Sequence, residues 1–193
     1  MDARYVCTTA ATLKPLSIDE IAERLNVTNR DDFPILAQML DEAVDAFQRR
    51  TQRQLLTATW KLYLDGFPDV IELERLPVAS ITSITYVNTD GTTTTLAATE
   101  YQTDLTDGRY AARICPAYGT VWPAVRGDTL NAVIVTFVAG YTSAALVPSN
   151  IKRALLLMIG HYFENREPTG GDAVEVPYTL SAALAAEDWG PSV

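Results

Sequence analysis

Histidine occurs once in this 193-residue chain and cysteine twice. Any Ser-His-Asp triad or histidine metal site must therefore use His161, and zinc or non-haem iron ordinarily needs about three protein ligands. The His161-x-x-Glu164 spacing sets two donors on adjacent helical turns, but no second histidine and no cysteine lies nearby in sequence. Cys7 and Cys115 are far apart and lack a metal-ligand spacing, so they read as two free thiols in a reducing compartment. No Gly-x-Ser-x-Gly elbow, Gly-x-Gly-x-x-Gly fingerprint or phosphate-cradling loop accompanies the turns at Gly91, Gly108, Gly119 and Gly127.

Positive charge is also short. Fifteen basic residues against 24 acidic ones give a net charge of −9, which opposes nonspecific binding to phosphate backbones and to anionic lipid surfaces. Long apolar runs are missing: the longest, Ala154 to Ile159, is far below the roughly 20 residues of a membrane-spanning helix. The opening Met-Asp-Ala-Arg-Tyr-Val-Cys has no apolar run of signal-sequence length, so the expectation is a soluble protein made in the cytoplasm. No period of about 20–50 residues is visible, which removes solenoids and propellers. The carboxylate pairs Asp31-Asp32, Asp41-Glu42 and Glu187-Asp188 read as a helix cap, a solvated helix face and a terminal charge rather than as acid/base machinery. Composition thus assigns no catalytic residue, no cofactor and no metal.

What is present is 48% hydrophobic residues, enough for a substantial core in one domain carrying a large insertion. Ser17 and Glu20 form a capping-box pattern, with Leu16 and Ile21 placed as a hydrophobic staple, predicting a short helix to about Leu25. Asp31-Asp32 is suited to cap a second helix with Pro34 in its first turn. Its predicted apolar face is Ile35, Leu36, Met39, Leu40, Ala43, Val44 and Phe47. After Pro148-Ser149 a third helix is predicted over 149–167, with Ile151, Ala154, Leu155, Met158, Ile159, Tyr162 and Phe163 on one face, the natural partner of the second. Leu156 and Leu157 fall off that stripe, so this helix is apolar on more of its circumference than one core requires.

From Thr57 the period changes from 3.6 to 2, with Thr59, Lys61 and Tyr63 alternating against Trp60, Leu62 and Leu64. Short strands are predicted at 70–73, 81–87, 92–96, 101–105, 110–114 and 132–138. The first hairpin turns at Asp90-Gly91, a second at Asp107-Gly108, and the run 132–138 is too apolar to have a wet face. The fold class is therefore α+β: a helical core, 15–56 and 148–193, with a small antiparallel β-sandwich or barrel inserted at 57–141. Beyond Pro168 the composition loosens. An amphipathic piece from Thr179 to Ala186 offers Leu180, Leu184 and, further on, Trp189 as a hook for a partner, unless it folds back on its own subunit.

Several stretches carry a family resemblance: Leu-Ser-Ile-Asp-Glu at 16–20, Thr-Gln-Arg-Gln-Leu at 51–55, Trp-Lys-Leu-Tyr-Leu at 60–64 and Leu-Pro-Val-Ala-Ser-Ile-Thr-Ser-Ile at 76–84. Val-Thr-Phe-Val-Ala-Gly-Tyr at 135–141 and Val-Pro-Ser-Asn-Ile-Lys-Arg-Ala at 147–154 continue it. Together with His-Tyr-Phe-Glu-Asn-Arg-Glu at 161–167, this order resembles the head-tail connector proteins of tailed bacteriophages and prophages, in particular the adaptor or head-completion protein below the portal. The resemblance spans about residues 15 to 168 and contains no catalytic motif.

It implies a structural virion protein at the head-tail interface, made in the host cytoplasm and forming a ring, commonly of twelve copies. Such a ring binds the portal and offers a platform to a head-closure, stopper or tail protein, while DNA passes through without specific binding and no membrane is involved. The helices 32–52 and 149–167 would build the ring wall. Leu156 and Leu157, with the inserted β module, would be ring-contact residues, since a ring needs two unlike faces on each subunit, and the C-terminal segment with Leu180, Leu184 and Trp189 would reach for the portal. Two other readings stay open: a β-sandwich ligand- or glycan-binding module using Trp60, Tyr86, Tyr101 and Trp122, and a small hydrolase using His161.

Overall fold

The computed structural model describes residues 4–105 and 110–164. Among these, the chain forms eight β-strands and three α-helices, divided between two compact units, Met1–Thr12 with Thr57–Tyr141 and Leu13–Leu56 with Thr142–Val193. The class is α+β.

The first unit contains β1 (Arg4–Thr9), β2 (Ala58–Leu64), β3 (Ile71–Leu73), β4 (Val78–Val87), β5 (Thr93–Thr95), β6 (Tyr101–Asp104), β7 (Ala112–Pro116) and β8 (Val133–Ala139). They make two antiparallel sheets, ordered β1-β2-β8-β4-β5 and β3-β7-β6. Neither closes into a barrel, so that half of the expectation is set aside: the outer strands β1 and β5 pair with one neighbour each.

β8 lies at the centre of the larger sheet because it can be covered on both sides. Its residues alternate between buried Val133, Val135, Phe137 and Ala139 and half-buried Ile134, Thr136 and Val138, so no position is fully wet. Directly paired residues share a face, and the row Leu62, Val135, Ile84 crosses three strands with every member at most 1% exposed. Burying such side chains contributes about 1.5–3 kcal/mol each.

The first predicted hairpin forms as expected. Gly91 takes φ +88°, which a residue with Cβ rarely adopts, and Asp90 accepts hydrogen bonds from the Thr92 amide at 2.9 Å and hydroxyl at 2.7 Å. This fixes Val87 opposite Thr93. The β6–β7 hairpin pairs Asp104 with Arg113, whose side chains meet at 2.7 Å; its predicted turn at Asp107-Gly108 lies outside the described residues.

β1 was not anticipated. Its sequence, Arg-Tyr-Val-Cys-Thr-Thr, is short and flanked by no turn signal, and its partner β2 lies some fifty residues on, beyond α-helical sequence. Tyr5 fastens it. The Tyr5 hydroxyl donates to the Glu72 carbonyl and accepts from the Glu74 amide, both at 3.1 Å, joining the larger sheet to the β3 segment of the smaller one. The ring sits edge-on to Phe137 at 6.4 Å. The Arg75 guanidinium lies 5.7 Å from the Tyr5 ring centre and 4.9 Å from that of Trp60. Burial is the main reason the Tyr5 pKa is pushed up to about 12, and burial likewise lowers that of Arg75.

The second unit contains α1 (Ile18–Leu25), α2 (Phe33–Thr51) and α3 (Ser149–Glu164). The capping box is present: the Ser17 hydroxyl accepts from the Glu20 amide at 3.1 Å, and the Glu20 carboxylate accepts from the Ser17 amide at 2.8 Å. Those bonds to Ser17 hold Glu20 below the usual carboxylate range. Leu16 and Ile21 are both buried, as a staple requires.

α2 starts where expected, with Asp32 at the N-cap position and Pro34 in the first turn, but the expected side-chain cap is missing. Asp31-Asp32 belongs to a 3-10 turn, Arg30–Asp32, capped by the Asn29 side chain on the Asp31 amide at 3.1 Å, while Asp32 makes no side-chain cap to α2. The α2 stripe that is buried runs Leu36, Leu40, Ala43, Phe47, Thr51, at steps of four and three. Ile35 sits about 100° around the helix from Leu36 and is 40% exposed, so it is a surface residue, not a core one. α3 starts at Ser149 after Pro148 and buries Ile151, Ala154, Leu155, Met158 and Ile159 with α2 alongside; Tyr162 and Phe163 are half-buried. The predicted extension through 165–167 lies outside the described residues.

Candidate interaction surface

α3 carries a second helical series beside its buried stripe. Ser149, Lys152, Arg153, Leu156, Leu157, Gly160, His161 and Glu164 follow one another at steps of three, one and three, and all line a groove completed by Arg24 and Leu25 at the end of α1. Its volume is about 740 Å³ and it opens broadly to solvent. Leu156 and Leu157, the surplus apolar residues, are half-buried there with Leu25. A Cβ at Gly160 would meet Leu25 Cδ2 at 3.6 Å, an ordinary contact, so the missing side chain widens the groove rather than permitting a clash-free approach.

The groove's electrostatics invert those of the chain. Arg24, Lys152 and Arg153 rim it against the single carboxylate of Glu164, in a protein of net charge −9. Among the described residues none of these three cations is within ion-pair distance of a carboxylate, although Lys152 acts through space on the Glu20 carboxylate and helps to hold it low. An apolar floor with a basic rim suits an apolar, acidic chain segment better than a neutral or cationic one. Sequence patterning does not single out Arg24, Leu25, Lys152 or Arg153 as site residues. The i, i+3, i+4 recurrence 149, 152, 153, 156, 157, 160 was the available signal, hidden by the stronger stripe one step away.

His161 and Glu164 both line this groove, on adjacent turns as their spacing predicts. Among the described residues no group of three or more His, Cys, Asp or Glu is placed to hold a metal ion. Asp41 is ion-paired with Lys14, and Glu42 accepts from Gln38 at 2.9 Å. Cys7 is exposed and Cys115 half-buried, both free; desolvation pushes the Cys7 thiol up, away from a reactive thiolate.

The aromatic residues suited to a glycan platform are dispersed. Trp60 is covered by Arg75, and Trp122 stacks on Phe67 at 4.7 Å and 9°, with Tyr86 edge-on to Phe67 at 5.8 Å. Tyr101 belongs to the smaller sheet. Tyr118 and Val121, in the loop after β7, are instead the most exposed large apolar residues of the described chain. Leu180, Leu184 and Trp189 lie outside the described residues. Among those described, no helix is long and apolar enough to cross a membrane.

No protein-family model and no curated protein matches the chain. Solved structures do. A chain in the neck of an empty gene transfer agent particle, computed with C6 symmetry, superposes with a TM-score of 0.76 at 23% identity, covering 100% of this chain and 98% of that one. A chain of the native gene transfer agent virion gives 0.78 at 23% identity, covering 98% and 97%. A chain of the native particle's neck, computed with C12 symmetry, gives 0.71 at 22% identity, covering 97% of each. The fold is shared with these chains over essentially its whole length.

Proposed function

We propose that this chain is a structural, non-enzymatic neck protein of a phage-like particle, an adaptor that forms a ring under the portal and joins it to a head-closure, stopper or tail protein. The observation that carries this reading is the end-to-end fold likeness to chains from gene transfer agent necks and virions, at TM-scores of 0.71 to 0.78. Two of those necks were computed with C6 and C12 symmetry, which supports a ring of repeated copies, twelve in the simplest case.

The chain's own chemistry is compatible with that role. A net charge of −9 suits a conduit that DNA traverses without sticking. A ring requires unlike surfaces on each copy, and the contact residues we assign are Leu156 and Leu157 in the groove, together with Leu180, Leu184 and Trp189 of the later sequence. The test is native mass spectrometry and light scattering of the pure protein, alone and mixed with its portal. A ring or a portal complex is expected; neither forming under any ratio would sink the proposal.

A further inference from the structure

We propose that the α1–α3 groove is the receptor for the acidic, apolar segment Thr179–Trp189 of a neighbouring copy, so that each subunit of the ring holds the tail of the next. This rests on the ring reading above and names the contact that closes it.

The first support is charge complementarity. The groove offers Arg24, Lys152 and Arg153 against Glu164, with His161 beside them. From residue 165 onward the chain carries Glu167, Asp172, Glu175, Glu187 and Asp188 against Arg166. Both surfaces belong to the same chain, and each has the sign the other needs.

Apolar fit is the second. At helical spacing Leu180, Ala183 and Leu184 share a face, with Glu187 one turn further on. Leu25, Leu156 and Leu157 make a floor open to receive such a face, and the groove's volume of about 740 Å³ lies within the range of roughly 300–1,000 Å³ typical of binding clefts. The Glu187-Asp188 pair would then fall near a basic rim. This is the helix-in-groove mode of recognition.

Reach allows a neighbour, and the symmetry of a ring favours it. Residues 165–179 can extend about 50 Å at roughly 3.3–3.6 Å per residue, more than the ~30 Å diameter of a small domain. A ring is built from head-to-tail contacts between two unlike patches, and a groove and a complementary tail are such a pair. DNA is the weaker occupant for the same basic rim, because a leucine floor gains nothing from a phosphate backbone and the overall charge repels it.

The test uses full-length chains with Cys7→Ser and Cys115→Ser. One population carries Leu157→Cys and the other Leu184→Cys; they are mixed with the portal under mild oxidation and resolved without reductant. A disulfide joining the two populations is expected. Adding Lys152→Glu and Arg153→Glu to the first should reduce its yield about tenfold, the equivalent of roughly 1.4 kcal/mol. Placing Glu187→Lys and Asp188→Lys in the second should restore it, an outcome a merely structural role for the rim would not give. If a chain bearing both cysteines closes on itself while the mixture gives no joined product, the segment docks in its own subunit and the proposal is overturned. It is equally overturned if a short DNA duplex binds the groove and the rim reversal abolishes that binding. Light scattering on the same samples separates the failures: rings without the joined product sink only this inference, whereas no ring and no portal complex sink the proposed function itself.

Discussion

Replacing Tyr5 by Phe removes one oxygen and leaves the ring, with its edge contact to Phe137 and the Arg75 guanidinium above it. What disappears are the hydrogen bonds to the Glu72 carbonyl and from the Glu74 amide. Each bond contributes about 0.5–1.5 kcal/mol net, and the partly exposed backbone groups can turn to water, so the loss is set at about 1–2 kcal/mol. For a chain of this size that corresponds to a fall of roughly 2–8 °C in melting temperature. The pH dependence provides the sharper signature. The folded-state pKa is raised from 10.0 to about 12; above 10 the unfolded chain releases the proton and the folded one retains it. Tyr5 therefore stabilises fully below pH 10, and its contribution is lost as pH climbs towards 12. Urea unfolding followed by circular dichroism at pH 7, 10 and 11.5 should show the wild type losing stability over the upper interval, with a shallower loss in Tyr5→Phe. Parallel pH profiles for the two proteins would refute the assignment of that hydroxyl as a buried bridge between the sheets.

Ile35 and Leu36 are adjacent yet should behave oppositely: Leu36→Ala is expected to cost about 2–5 kcal/mol and Ile35→Ala less than about 0.5 kcal/mol, measured by denaturant midpoint. Ser17→Ala dismantles the capping box and should cost about 0.5–2 kcal/mol. Because Glu20's folded pKa is depressed below 4.5, its part is present above that pH and lost as pH falls through the folded value, so the Ser17→Ala deficit should shrink in acid. Gly91→Ala forces a side chain into φ +88° and brings its Cβ to 2.8 Å from Arg126 Nη1; a destabilisation of about 1 kcal/mol or more is expected, read by thermal melting.

Local signals were readable where a few adjacent residues decide the outcome. Ser17 with Glu20, Asp90 with Gly91, and the alternation of Ala58 to Leu64 each specify an element without distant help. Expectation failed where distant partners decide. Arg4–Thr9 becomes a strand only because β2 presents a free edge and Tyr5 finds Glu72 and Glu74, neither visible from six residues. Asp32 holds the N-cap position of α2 without a side-chain bond because it closes a 3-10 turn that Asn29 caps, and Ile35 faces solvent because its neighbour Leu36 takes the core side of the helix. At the groove, Leu156 and Leu157 stood out in the sequence as surplus, but their basic rim did not, since Arg24 comes from a helix more than a hundred residues away.

The central position of β8 sets an order of events during synthesis. β2 and β4 are both made before it, yet each pairs with β8 and not with the other, Leu62 waiting for Val135 across 73 positions. Until residue 139 has left the ribosome, the earlier strands of the larger sheet have only the β1–β2 and β4–β5 pairings available, with the edges meant for β8 uncovered. The sheet is then completed in one late step that joins both halves, a high-contact-order event, slow by nature and the stage at which the nascent chain is most exposed to aggregation.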